Sequence, residues 1–294
     1  MVISHVGKSV SRVDALDKVT GRAVYCVDVD LPGMLYGAVL RSPSPHARIM
    51  DINTSEAMEV SGVKAVVTGR DFPFTMGTMI KDRPFLAADR VRYVGEPVVA
   101  VAADTEAAAQ EAVGKIQVRY EELPTVFDPR EAVAEGAPLL HPDLEGYTRS
   151  GRCEIVPGTN ICTIMTYSLG DVEGGFAEAD ELFEDEFYAH TVSHTPMEVH
   201  AAVAQCCPSS GKFTIWSSTD RPYRLLRELT DAIGISAGEV RFITPYVGGS
   251  FGGKSTLLAE AVAIALARFT EGRPVKVVYS REEELTTEIG RAHV

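Results

Sequence analysis

Wound as a helix, residues 255–272, STLLAEAVAIALARFTEG, are apolar on nearly every side. A surface helix shows one apolar stripe, whereas a helix apolar all round must be covered on more than one face. The run is too interrupted to cross a bilayer, which takes about 20 predominantly apolar residues. The chain therefore has to build layers around it. The flanking segments offer them. EVRFITPYV (239–247) precedes the helix and RPVKVVYS (273–280) follows it, and both have the β-branched, apolar character of strands.

Other elements follow from local pattern. Residues 1–20 are polar and are expected to form an extended arm. Residues 21–42 give two strands around a turn at Leu31-Pro32-Gly33, and VKAVVTG (63–69) gives a third. Residues 73–91 are irregular. RYVGEPVVAVAAD (92–104), TEAAAQEAVGKI (105–116) and IQVRYEEL (116–123) make a compact strand–helix–strand unit, with Asp104 or Thr105 as the helix cap. Residues 123–160 hold Pro124, Pro129, Pro138, Pro142 and Pro157 and mark a boundary. Beyond it come a short helix after Asp171, a strand through Phe187 and Tyr188, and a hairpin turning at Pro208–Gly211. An amphipathic helix (221–234) follows, with Leu225, Leu226, Leu229 and Ile233 on one face.

The net charge of −13 argues against a nucleic-acid surface, which shows as a basic stripe. The N-terminal residues lack the apolar region of a signal peptide, so a cytoplasmic protein without a membrane span is expected. The five cysteines lack a Cys-x-x-Cys pair and are expected to be buried or half-buried thiols.

VGGSFGGKST (247–256), between a strand and a helix, satisfies the phosphate-loop pattern: Gly248, four residues, Gly253, Lys254, Ser255. Glycines let backbone N–H groups converge on an anion. Against a nucleotide stand Phe251 in mid-loop and the absence of an acidic residue at the end of VKVVYS to hold magnesium. The residues alone leave three readings open: a nucleotide, another anionic cofactor, or a structural turn. His194, Glu198 and His200 cluster in SHTPMEVH, but their spacing lies outside a helix and lacks the shared face of a zinc motif. Lys254 is expected in a structural ion pair or capping a neighbouring carbonyl, Arg281–Glu284 on a solvated surface, and Trp216 in the core.

The loop resembles the GGGFGGK segment of the molybdenum hydroxylases, the xanthine dehydrogenase and aldehyde oxidase family. The likeness extends over nearly the whole chain. Residues 6–49 resemble the start of the family's molybdopterin-binding subunit, and VRYVGEPVVAVAADT and IQVRYEELPTVFDP its hammerhead domain. HTPMEVHAAVA, STDRPYRLLRELTDAIGI, VRFITPYVGGSFGGK and GRPVKVVYSREEE follow in the family's order.

This resemblance implies an α+β (mixed α/β) fold: an N-terminal arm and hammerhead domain at 1–130, a linker at 131–160, and the first part of a molybdenum cofactor-binding domain at 161–294. It implies a molybdenum–pyranopterin (molybdopterin) cofactor facing Gly248, Gly249, Ser250, Phe251, Gly252 and Gly253. His194 and Glu198 would line the substrate cavity, and no residue would ligate the metal directly. The family hydroxylates aldehydes or N-heterocyclic aromatic compounds, small molecules, with oxygen from water. Electrons leave through [2Fe–2S] clusters to FAD, both expected on partner subunits: an iron–sulfur subunit and a FAD subunit.

The chain departs from the family pattern in three ways. Ser250 replaces the middle glycine, Asp220 stands where Gln is frequent, and the family's GxGE glutamate, its general base, is missing. Glu260 and Glu288 do not match that position. A second molybdopterin-binding chain or a missing C-terminal half is therefore expected as partner. A truncated or decayed scaffolding fragment is the alternative. In either case α-helical residues 255–269 and the strand at 274–279 are expected to lack part of their cover.

Overall fold

A computed structural model describes residues 6–149, 153–188, 190 and 192–287. The chain runs through α1 (Ala15–Val19), β1 (Leu35–Arg41), β2 (Ala47–Asn53), α2 (Ser55–Met58), β3 (Val63–Thr68), β4 (Thr75–Met76), β5 (Arg83–Pro84), β6 (Arg90–Val91), β7 (Pro97–Ala103), α3 (Glu106–Lys115) and β8 (Gln117–Glu122). After α4 (Pro129–Ala132) and α5 (Val172–Glu178) come β9 (Ala201–Cys206), β10 (Phe213–Ser217), α6 (Pro222–Ile233), β11 (Val240–Ile243), α7 (Ala259–Ala267), β12 (Val275–Val278) and α8 (Arg281–Thr287). The class is mixed α/β, as the resemblance implied.

The main sheet has seven strands in the order β11-β10-β9-β12-β1-β7-β3. Two pairs, β10–β11 and β1–β12, are parallel, and the others are antiparallel. Strands from before residue 123 and from after residue 160 thus share one sheet. β7 runs through its interior as PVVAVAA, with every residue after Pro97 buried. An unbroken apolar run fits a strand covered on both faces. Thr105 caps α3, its Oγ1 accepting from Ala108 N at 3.1 Å, and α3 packs on β1 and β7. A three-stranded sheet, β6-β2-β8, closes a second core around Ala47, Val91, Val98 and Ala112.

α7 lies on β9 and β12 and is buried along its whole length. Its only charge, Glu260, accepts from Ser217 Oγ and from Leu258 N (3.1 Å). The expected shortage of cover is not observed: β12 lies between β9 and β1 in the middle of the sheet.

Several local expectations are corrected. The N-terminal arm contains α1, closed by the Thr20 amide on Leu16 O (3.1 Å). Residues 21–29 form no strand, because Tyr25 makes only an isolated bridge to Tyr246 and the chain then tightens into a 3-10 turn at Cys26–Asp28. Residues 73–91 are partly ordered into the β4–β5 hairpin and β6. Phe187 and Tyr188 are exposed and belong to no strand. Cys162 and Cys207 are exposed, while Cys26, Cys153 and Cys206 are buried. The Arg281–Glu284 run forms the start of α8, and the Glu284 side chain is fully buried. Period alone did not reveal this, because the surroundings of Glu284 come from residues more than 80 positions away.

Candidate functional site

The glycine loop leaves β11 and turns back on itself before α7. Glu198 holds it from behind. Glu198 Oε2 accepts from Gly248 N (2.8 Å) and from Lys254 Nζ (2.8 Å), and Glu198 N donates to Gly248 O (3.3 Å). A Cβ on Gly248 would stand 2.6 Å from Glu198 Cβ, so only glycine permits this approach. The Lys254 side chain is 1% exposed and that of Glu198 6%, which makes this the buried ion pair expected for Lys254. Further bonds fix the loop's inner side. Thr219 Oγ1 donates to Lys254 O (2.6 Å), Ser255 Oγ to Gly252 O (2.7 Å), and Gly253 N to Ser250 O (2.9 Å).

The other side of the loop is different. Gly249 (φ 112°), Phe251 (φ 53°) and Gly252 (φ 95°) all have positive φ. The N–H groups of Gly249, Ser250, Phe251 and Gly252 make no hydrogen bond with the described residues. Phe251 is 69% exposed, and its ring lies against Gly249, where a Cβ would meet Phe251 Cε2 at 3.0 Å and Pro196 Cβ at 3.2 Å. Glu198 Oε1 is buried without a hydrogen bond. Ser250 Oγ donates to Asp220 Oδ1 (2.7 Å).

α8 anchors the Glu198 segment from its far side. Arg281 Nη2 donates to Pro196 O (2.7 Å) and Met197 O (3.2 Å). Glu284 Oε2 accepts from His200 N (2.8 Å), and His200 Nδ1 stands 3.2 Å from the same oxygen. Burial pushes the Glu284 carboxyl up, but its contacts with His200 outweigh this and hold it below the usual carboxylate range. His200 is thus directed to Glu284 and not to Glu198. His194 is half-buried, two residues before the Pro196 that packs on Gly249. No local pattern announces the Arg281, Glu284, Thr219 and Asp220 contacts, which join segments 30 to 85 residues apart.

This geometry opposes the phosphate-loop reading. Lys254 is turned inward onto Glu198 and cannot reach a ligand outside the loop. Residues 253–255 form a 3-10 turn, and α7 begins only at Ala259, so no helix N-terminus backs the glycines.

An anionic, oxygen- and sulfur-rich group such as a molybdenum–pyranopterin does fit. Four adjacent main-chain donors are unspent, and glycines at 249 and 252 leave no side chain between the group and the backbone. Among the described residues, no helix is long and apolar enough to cross a membrane.

Known proteins share the fold. The molybdopterin cofactor-binding domain matches residues 155–294, and the aldehyde oxidase and xanthine dehydrogenase a/b hammerhead domain matches residues 20–124. The chain belongs to the xanthine dehydrogenase and aldehyde oxidase family of molybdenum hydroxylases, as a portion of its molybdopterin-binding subunit. It is 39% identical over 282 residues to a probable xanthine dehydrogenase subunit of Bacillus subtilis (strain 168), covering 95% of this chain and 36% of that one. It is 35% identical to the nicotinate dehydrogenase large molybdopterin subunit of Eubacterium barkeri, covering 96% of this chain and 63% of that one. Reconstituted CO dehydrogenase from Oligotropha carboxidovorans superimposes with a TM-score of 0.83 at 30% identity, over 96% of this chain and 36% of that one. The chain therefore spans between about a third and two thirds of the length of these relatives.

Proposed function

We propose that this chain is the cofactor-facing part of a heteromeric, cytoplasmic molybdenum hydroxylase. The enzyme oxidises an aldehyde or an N-heterocyclic aromatic substrate and passes electrons to iron–sulfur and FAD subunits. The observation that carries the reading is the loop's two-sidedness. Its inner side is locked by Glu198, Lys254 and Thr219, and its outer side presents four unspent N–H groups beside exposed Phe251. Gly249, Ser250, Phe251 and Gly252 would hold the cofactor through these donors, with Gly248 and Gly253 as the turn's ends. When bound, the molybdenum–pyranopterin supplies two-electron oxidation with oxygen drawn from water.

The chain's own residues position and select. Phe251 offers an aromatic face at the loop's apex for a planar or apolar substrate. Glu198 would line the substrate cavity through Oε1, the carboxylate oxygen that the loop leaves without a hydrogen bond. His194, two residues before Pro196, would line the same cavity. No residue here is assigned as general base, so the isolated chain is expected to be inactive. The alternative reading is a non-catalytic scaffolding fragment of such a subunit.

Coexpression with the subunits encoded beside it, followed by turnover in ¹⁸O-water with an artificial electron acceptor, tests the proposal. Label in a hydroxylated product supports it. A molybdenum-loaded assembly that oxidises no aldehyde or N-heterocycle contradicts it and leaves the non-catalytic reading.

A further inference from the structure

α6 carries an acid on its buried face. Glu228 and Leu229 stand three and four residues after Leu225, so the three share one side of the helix. Both leucines are fully buried, and Glu228 is 6% exposed. Glu228 Oε2 has no hydrogen-bond partner. Burial raises its carboxyl above the usual carboxylate range, against the partial opposition of Arg83, Arg224 and the Leu257 backbone. A carboxylate in this position is costly unless a donor reaches it.

Glu228 faces a cavity of about 560 Å³ between α6, the β4–β5 hairpin and the segment that leads into β7. Cavities of roughly 300–1,000 Å³ hold small organic molecules. Met76, Ile80 and Leu140 give this one apolar walls, and Asp82 and Glu96 join Glu228 as its lining acids. Burial raises these two carboxyls as well, Glu96 to about 7. None of the loop residues 248–253 lines the cavity.

The contacts of the neighbouring arginines set the sign of the ligand. Arg83 Nη2 donates to Thr256 Oγ1 and to Leu257 O (2.6 Å). Arg92 Nε donates to Leu140 O (3.3 Å) and its Nη1 to Arg90 O (3.4 Å). Arg224 Nη2 donates to Thr78 Oγ1 (3.3 Å). Among the described residues, no ion pair joins these arginines to Asp82, Glu96 or Glu228. The guanidinium contacts go to carbonyl and hydroxyl oxygens, and the acceptor capacity of the carboxylates remains. A cation would use it. No three His, Cys, Asp or Glu side chains among the described residues stand close enough to hold a metal ion, which leaves an organic cation.

We propose that this cavity binds a small organic monocation, an amidinium or ammonium head on an apolar or aromatic body. The head sits on Glu228, and the body lies against Met76, Ile80 and Leu140.

Benzamidine is the test probe, with neutral benzamide and anionic benzoate as molecules of nearly the same shape. Calorimetry on the full chain should give benzamidine a Kd of about 1 mM or tighter, and benzamide and benzoate at least about tenfold weaker binding. Glu228→Gln keeps the shape of the side chain and removes its charge, and it should weaken benzamidine about tenfold at an unchanged thermal midpoint. A crystal of the wild-type chain soaked in 4-bromobenzamidine needs no variant to fold. Its anomalous bromine peak should lie in the cavity lined by Met76, Ile80 and Glu228. No benzamidine binding at about 10 mM, benzoate binding as tightly as benzamidine, a folded Glu228→Gln with wild-type affinity, or bromine only elsewhere would each overturn the proposal.

Discussion

Ser250 Oγ donates a 2.7 Å hydrogen bond to Asp220 Oδ1, tying the apex of the glycine loop to the segment that follows β10. These are two of the positions at which the chain departs from the family pattern, and they are partners. Serine at the loop's centre gives the aspartate a donor that glycine lacks. Asp220→Gln should keep the contact, since an amide oxygen accepts as well. Ser250→Gly should lose it. A double-mutant cycle of Ser250→Gly with Asp220→Ala, each of which removes the bond, should show coupling of about 0.5–1.5 kcal/mol in unfolding free energy. Additive effects of the two changes would mean that the bond does not organise the loop.

Lys254→Met leaves the Glu198 carboxylate buried without its cation. Removing one partner of a buried pair costs about 3–5 kcal/mol, whereas replacing both with apolar groups is far milder. Urea unfolding should therefore show Lys254→Met well below wild type and Glu198→Leu/Lys254→Met above the single variant. A single variant within about 1 kcal/mol of wild type, the range of an exposed pair, would show that the lysine is not held inward.

Glu284→Ala removes the acceptor for His200 N and leaves a void where the side chain was fully buried. The unpaired N–H alone costs about 1–3 kcal/mol. Glu284→Gln, which keeps an acceptor at that place, should cost less. Equal losses would point to the carboxylate's charge beside Arg281 and His200, not to the hydrogen bond.

Much of the fold was legible because its signals are local. The apolar run of β7, the cap at Thr105, the hairpin turn near Gly211 and the all-round apolar α7 each follow from neighbours within a few residues. The glycine loop was legible as a glycine-rich turn, but its residues alone left a nucleotide, another anionic cofactor and a structural turn open. The holding contacts were not. Glu198 with Lys254 and Glu284 with His200 join segments 56 and 84 residues apart, and nothing in SHTPMEVH or REEE separates a buried carboxylate from a solvated one. The strand expected at Phe187 has the right side-chain period but no neighbouring strand among the described residues, and a strand is defined by its neighbour.

Glu96 provides a pH test. It is buried, its Oε2 accepts from Arg92 N at 2.6 Å, and burial raises its pKa to about 7 against the partial opposition of that bond. The folded state thus binds its proton more tightly than the unfolded chain, whose glutamate titrates near about 4.3. The Glu96 contribution to stability is full below that value, falls as pH rises, and is lost above about 7. The difference in unfolding free energy between wild type and Glu96→Gln should change across this window by about 1.4 kcal/mol per pH unit. A difference that is flat from about pH 4.5 to 7.5 would show that Glu96 is ionised throughout.

The proposed function stands on the outer side of the loop at 249–252 receiving a molybdenum–pyranopterin. The molybdenum and pterin content of the assembly purified from cofactor-competent cells, for wild type and for Gly249→Val, tests this without an intermediate step. At φ 112° and with Phe251 and Pro196 at 3.0 and 3.2 Å, a side chain at 249 both strains the backbone and fills the approach. Wild type should hold stoichiometric molybdenum and pterin, and Gly249→Val should lose about tenfold at unchanged subunit composition. Neither molybdenum nor pterin in an intact wild-type assembly, or full content in the variant, would contradict it.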